Sequence, residues 1–589
     1  MFYPTLKELP TQRSMVQVFG GYNHNLRTGE GEFYNMENLT SSYYPLLSPR
    51  KKRGVYRSGI SPSAMVGKEA LCYLDGSTFV MNDYRVDLKL QSYETAEMLS
   101  MGAYVILVTR DGQGEMVDAL WINTKDLTDF GSIDASFTSA EGETVSFELS
   151  KADGETYNAV ASGDTQPNNP ENGDLWLDTS SSPNTLKQYS SSSALWAAIP
   201  TTYIRINAEN IGKAFCKYDG VTIRGVEADE LSSLNATTII WEKGEHYIVV
   251  TGILKNTITQ NSKITVQRQM PLMDHLLECG NRLWGCRYGL SRNGEVVNEI
   301  YASKLGDFKN WNCFMGISTD SYAVSRGSDG PFTGAVNYFG QPLFFKEGCM
   351  HKVAGTLPSN FTVTDLLCRG VEQGSHKSLA IVNETLLYKS PNGICAYDGA
   401  LPADLSSAFG DRRYREAVGC AHQGKYYVSM LDTEGEAHLF VYDASRGLWM
   451  REDSLRVRQF CSLKEELYFI PSSGDRIGTM LGSGTAEEQP VCWMAQTGVL
   501  CTDTPDRKYI SRLHVRLSLQ EGSKVSFYAQ YDSVGEWIPL ASVEGKSLEA
   551  FVLPIRSRRC DHFRLRIEGT GEAKIYSIGK AIEEGSDLP

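Results

Sequence analysis

The chain of 589 residues is short of the residues that usually carry chemistry. It has nine histidines, at 24, 246, 275, 351, 376, 422, 438, 514 and 562, and no two of them stand in an HExxH or HxH pair. The ligand spacing of a zinc enzyme is therefore missing. Its 13 cysteines form no CxxC, and the nearest pair, Cys279 and Cys286, is seven apart. That excludes both a zinc ribbon and a dense disulfide framework, and leaves buried thiols of a chain folded in a reducing cytoplasm. There is no GxSxG elbow for a nucleophile and no GxxxxGK[ST] loop for a phosphate. No run of 18 apolar residues occurs, and MFYPTLKELPTQRS has no basic start followed by an apolar stretch. Neither a membrane span nor a signal peptide is expected. A basic balance is lacking too: 57 Lys and Arg against 71 Asp and Glu give a net charge of −14. A protein that grips nucleic acid by its phosphates needs the opposite. An acidic wall that DNA slides past remains compatible, as does plain solubility.

Long stretches at helical spacing are also absent, whereas 54 Gly and 30 Tyr suit turns and strands. One pattern recurs: a turn, then a short apolar strand. It appears at Gly280-Asn281-Arg282-Leu283-Trp284, Gly340-Gln341-Pro342-Leu343-Phe344, Asn383-Glu384-Thr385-Leu386-Leu387, Gly424-Lys425-Tyr426-Tyr427 and Glu465-Glu466-Leu467-Tyr468. The steps from Leu283 through Leu343, Leu386 and Tyr426 to Leu467 are 60, 43, 40 and 41 residues. A period near 40 with four strands per unit is the mark of propeller blades. Leu71–Leu74 and Tyr104–Leu107 read as two earlier units, so the fold expected is all-β, a β-propeller of about seven blades, with six to eight allowed. The interval from Val105 to Leu283 leaves room for a nested β insertion. After about 490, Leu513, Val515, Leu517 and Leu519 alternate with polar residues, as do Val525, Phe527, Ala529 and Tyr531, and then Phe563, Leu565 and Ile567. Period-two alternation over several strands predicts a C-terminal antiparallel β-sandwich. The division expected is 1–133 for a lead-in segment and first blades, and 134–270 for the insertion with a Trp-containing module at about 157–199. The remaining blades fall in 271–489 and the sandwich in 490–589.

Three stretches resemble structural proteins of tailed bacteriophages. Phe19–Gly54, with Met36-Glu37-Asn38-Leu39 before Tyr43-Tyr44-Pro45, is similar to the segment leading into phage propeller proteins. Asn281–Trp311, with Tyr301-Ala302-Ser303-Lys304-Leu305-Gly306-Asp307, resembles one of their blades. Gly173–Trp196 is similar to a small module of phage tail and fibre proteins. The resemblance is to propeller-bearing tail proteins, including packaged-DNA stabilisation and tail-nozzle proteins. It implies a virion component of the tail, assembled in the bacterial cytoplasm. It further implies a homo-oligomeric ring, six or twelve copies, that meets portal, adaptor or other tail proteins and transiently the exiting DNA. No enzymatic activity and no cofactor are expected. The other reading is a tail-tip adhesion protein that binds host glycan through the insertion or the sandwich.

The candidate site residues follow from these readings. Trp176, Tyr189 and Trp196 are aromatics among polar loop residues, suited to stacking on sugar faces or to forming the minimal core of a very small domain. Two basic clusters interrupt the acidic balance, Arg50-Lys51-Lys52-Arg53 and Arg556-Ser557-Arg558-Arg559. Each is a candidate contact to a neighbouring subunit or to DNA, or a solvated patch. Asp398, Asp432, Asp443, Glu452 and Asp453 lie near blade turns, where local hydrogen bonding accounts for acidic residues better than a glycosidase pair does.

Overall fold

The structure, a computed structural model, describes residues 11–157, 160–312, 320–484, 488–501, 507–545, 549–555 and 558–584. It is all-β, with only short 3-10 turns between strands. Among the described residues, seven four-stranded antiparallel sheets follow one another along the chain. They cover 62–87, 95–132, 275–325, 334–367, 380–404 and 414–451, and the seventh joins 457–479 to Gly54–Ser58. In the first six, sequence order is also the order across the sheet.

The recurring turn-and-strand pattern of the sequence marks the second strand of each sheet. These strands are Leu71–Asp75, Tyr104–Arg110, Arg282–Leu290, Gln341–Lys346, Thr385–Ser390, Lys425–Asp432 and Glu466–Pro471. They are apolar on both faces because a neighbouring sheet covers each face, so the period-two alternation is lost. Except before Leu71–Asp75, the turns leading into them use left-handed backbone. Asn281 has φ 58° and Gly280 φ 60°, and Gln423 and Gly424 repeat the pair at 47° and 73°. Two successive positive φ values make the tight hairpin whose twist matches the strands it joins. The long 60-residue step of the sequence comes from 303–321, which separates Val296–Ala302 from Tyr322–Ser325.

The first strands touch in sequence. Pro62–Gly67 packs on Thr95–Met101, that strand on His275–Cys279, and that on Gly334–Tyr338. Gly334–Tyr338 meets the turn His376–Ser378, and Ala380–Val382 meets Tyr414–His422. Tyr414–His422 packs on Val457–Leu463, which returns to Pro62–Gly67. The series is a closed circuit, with apolar cores between successive sheets. The closing core is Met65, Leu71, Tyr73, Val80, Cys461, Ile470 and Ile477. The outer strand of the seventh sheet comes from the other end of the chain: Arg476–Thr479 pairs antiparallel with Gly54–Ser58.

Two further bodies hang on this circuit. Between the second and third sheets, strands within 135–268 form one four-stranded and one five-stranded sheet over a shared core that includes Phe147, Ile206, Phe215, Ile248 and Val266. Within that stretch, 161–198 makes a small four-stranded sheet of its own. At the C-terminus a four-stranded and a six-stranded sheet bury the alternating residues read from the sequence, Leu513, Val515 and Leu517 against Phe527, Leu565 and Ile567. N-terminal strands complete both sheets: Thr11–Val16 pairs with Ala573–Glu584, and Glu32–Glu37 with Cys492–Thr497. The cysteines of the described residues are free thiols.

Candidate functional site

Residues 38–53 carry the chain from the C-terminal sheets to the seventh ring sheet, and the first basic cluster lies on this crossing. Arg50 and Arg53 do not form a surface patch. Arg50 is 7% exposed; its Nε donates to Asn38 Oδ1 at 2.7 Å and its terminal nitrogens to Glu488 at 2.8 and 2.6 Å. Arg53 donates to Glu452 Oε2 at 3.0 Å and, bidentately, to Asp453. Glu452 is 5% exposed, and burial pushes its pKa up while Arg53 and Arg50 pull it down, with burial prevailing. For Asp453 burial also opposes ionisation, but the two guanidinium groups outweigh it and hold the carboxyl below its ordinary value. Arg50 and Arg53 are thus engaged by carboxylates of their own chain, where an unpaired charge would cost far more than a paired one. Lys51 and Lys52 are exposed, and Lys51 borders an open cleft of about 860 Å³ with Tyr56, Glu466 and Tyr468. In the second cluster Arg558 is exposed and Arg559 half-buried, while Arg556 lies outside the described residues.

The three aromatics of the small inserted sheet come together on one face. Leu175–Asp178 pairs with Thr185–Ser190, which pairs with Leu195–Ala198, so Trp176 stands opposite Lys187 and Tyr189 opposite Trp196. The Trp176 and Trp196 rings meet edge to face at 5.5 Å, and Tyr189 lies 5.3 Å from Trp196. Trp176 is 6% exposed, donates its indole N–H to Gly163 O at 3.1 Å and is roofed by Lys187, whose Nζ sits 4.9 Å from the ring centroid. Lys187 is held there by Asp178 at 2.7 Å. Trp176 is thus core, whereas Tyr189 and Trp196 keep part of their surface open.

Asp398, Asp432 and Asp443 serve their own turns. Asp398 accepts the Ala400 amide at 3.1 Å, and Asp432 those of Glu434 and Glu436, both at 2.9 Å. Asp443 accepts the amides of Ser445 and Arg446 and the Ser41 hydroxyl.

Two groupings escape the sequence because their members are far apart in it. Along the inner strands, Arg110 approaches Glu97 at 4.0 Å and donates to Met273 O at 2.6 Å. Beside them the rings of His275 and His376 lie 5.2 Å apart. Burial dominates each titration here. It pushes Glu97 up, Lys377 down and His275 down to about 4, and His376 falls well below the usual imidazole value through burial and then through His275. At each of these four groups burial favours the uncharged form. The second grouping lies between the third and fourth sheets. Ser328 Oγ is 2.9 Å from His351 Nε2, and His351 Nδ1 is 2.7 Å from Asp365 Oδ1. His351, on Cys349–Ala354, stands opposite Asp365, on Thr362–Leu367, in the strand register. A GxSxG elbow would have announced such a serine, and Gly327-Ser328-Asp329-Gly330 does not match it. No group of three or more potential metal ligands occurs among the described residues.

No family model matches the chain, and no curated protein matches it. Solved structures with related strand arrangements include an exo-β-1,3-galactanase from Phanerochaete chrysosporium, 10% identical, covering 52% of this chain and 95% of its own, with a TM-score of 0.21. The phage phi92 endosialidase is 9% identical over 79% of this chain and 59% of its own, with a TM-score of 0.18. An acylaminoacyl peptidase of Pyrococcus horikoshii is 12% identical over 49% and 47%, with a TM-score of 0.22. These likenesses are too slight to argue from.

Proposed function

We propose that the seven ring sheets are the blades of a β-propeller and that the chain is a structural component of a tailed-phage virion. In this reading it forms a ring near the head–tail junction or nozzle, where it shapes or closes the DNA exit channel. The observation that carries the scaffold role is the way the chain fastens itself. The Gly54–Ser58 strand closes the seventh sheet, residues before it complete the C-terminal sheets, and Arg50 and Arg53 pin the crossing to Glu452, Asp453 and Glu488. Both ends are held by ladders, so opening the ring requires breaking several contacts at once, as a load-transmitting part needs. The phage assignment itself rests on the three sequence stretches. The net charge of −14 suits a wall along which DNA moves without sticking.

A second reading has its own observation: Tyr189 and Trp196 are adjacent and partly open on the small inserted sheet. Aromatic faces of this kind bind the apolar faces of sugars, and the protein would then sit at the tail tip. Electron microscopy of the particle with this chain antibody-labelled separates the two. Label beneath the portal in six- or twelve-fold order supports the first. Label at the tail tip, with glycan-array binding lost in Trp196→Ala, replaces it with the second. Trp176→Ala is the wrong variant for that test, because it empties the core of the sheet.

A further inference from the structure

We propose that Ser328, His351 and Asp365 form an acyl-transfer site in which Ser328 is the nucleophile toward carboxylic esters. The inference is independent of where in a particle the chain resides. The distances give each nitrogen of His351 one role. Nδ1, 2.7 Å from a carboxylate that can only accept, carries the proton and donates it. Nε2 is then the lone-pair nitrogen and accepts from the Ser328 hydroxyl at 2.9 Å. Nucleophile, base and orienting carboxylate are thus linked in series, which is how an unreactive hydroxyl is activated.

The surroundings suit that role. His351 is fully buried, and Phe332 packs edge-on against its ring at 5.8 Å. The charged and titratable groups facing it are Asp365, Arg326, Lys346 and Cys349. Arg326 Nη2 lies 2.5 Å from both Asp365 oxygens and fixes that carboxylate. Lys346 Nζ donates to Ser328 O at 2.8 Å and to Asn298 Oδ1 at 3.0 Å, which fixes the loop, and Cys349 Sγ is 3.8 Å from Nε2. Burial lowers the imidazole pKa, the Asp365 carboxylate opposes that, and the net shift is downward, so the ring is neutral and basic at neutral pH. Ser328 itself is only half-buried, on the loop 326–333. A side-chain carbon added at Gly327 or at Gly330 would meet nothing within 4 Å, so the backbone on either side of Ser328 is uncrowded. Lys346 is itself held over the rings of Tyr288 and Phe332 at 4.9 and 4.6 Å, which fixes its position beneath the loop. Among the described residues the amides of 327–330 make no backbone hydrogen bond.

In the reaction Ser328 Oγ bonds to the ester carbonyl carbon while its proton passes to His351 Nε2. The tetrahedral oxyanion collapses, the bond to the alkoxide breaks, and Nε2 returns the proton to that leaving group. Water then attacks the acyl-serine, gives its proton to Nε2, and the acid departs as Ser328 Oγ recovers the proton.

The test uses the full chain and a fluorophosphonate probe, which bonds phosphorus to an activated serine Oγ and expels fluoride. Peptide mass mapping of the folded wild-type protein is expected to place the adduct on Ser328. Labelling should be lost in Ser328→Ala and slowed about a hundredfold in His351→Gln, with p-nitrophenyl acetate hydrolysis falling in parallel. The acid limb of the labelling rate should lie below the ordinary imidazole value, because burial lowers the His351 pKa. Wild-type protein that is unlabelled, or labelled elsewhere, overturns the proposal whatever the variants do. So does Ser328 labelling that His351→Gln leaves unchanged while the variant keeps the wild-type melting temperature.

Discussion

Arg53 holds two carboxylates that are removed from most of the solvent, Glu452 and Asp453, and Arg50 adds a third partner in Glu488. Removing one member of such a network leaves a buried charge without compensation, which costs about 3 kcal/mol or more. Arg53→Ala should therefore lower the urea midpoint sharply. Arg53→Lys should recover only part of the loss, because an ammonium cannot fork to Glu452 and Asp453 together. A change of under about 0.5 kcal/mol in Arg53→Ala would show that the network adds nothing. At this scale the sequence misleads in an instructive way. Four consecutive basic residues read as a patch, yet the outer two turn inward and the middle two outward: Arg50 is buried and Lys51 and Lys52 are exposed. Nothing local reveals that acids some 400 residues later in the chain wait for Arg50 and Arg53.

The decisive element is the strand Gly54–Ser58. A Cβ on Gly54 would lie 2.3 Å from Ser483 O and 2.5 Å from Thr479 Oγ1, so the closing strand fits only without one. Gly54→Ala should force the strand from the seventh sheet and cost about 1–3 kcal/mol, with faster proteolysis on either side of residue 54. Gly76→Asn is the control. Its φ is 61°, which asparagine tolerates, and its surroundings are open. Equal destabilisation by the two variants would mean that closure at Gly54 is not the point of strain. The second strands of the ring sheets are legible in the sequence, since unbroken apolar runs after left-handed turns are hard to produce otherwise. The partner of the Arg476–Thr479 strand is not, because a β ladder is a backbone contact that leaves no side-chain signature of who pairs with whom.

Over the whole molecule, histidine burial sets a pH response. His24, His275, His351, His376, His422 and His438 all have pKa values lowered, in each case first by burial. A base whose folded pKa is depressed binds fewer protons folded than unfolded between the two values. Stability is then full above about 6.5 and falls as pH drops through the folded values, of which that of His275 is about 4. The urea midpoint should decline from pH 7 to pH 5, before most carboxylates titrate; a level profile would contradict it. Composition, alternation and the 40-residue period determined by themselves that the chain is all-β and where the apolar second strands and the C-terminal alternation fall. Those features are local: they depend on which faces of a short segment avoid water. The tertiary structure alone decided that the two ends of the chain interlock, that half of a basic cluster is internal, and that Ser328, His351 and Asp365 meet. Each of these joins residues from separate strands or loops, and distance along a chain says nothing about distance in space until the sheets have packed.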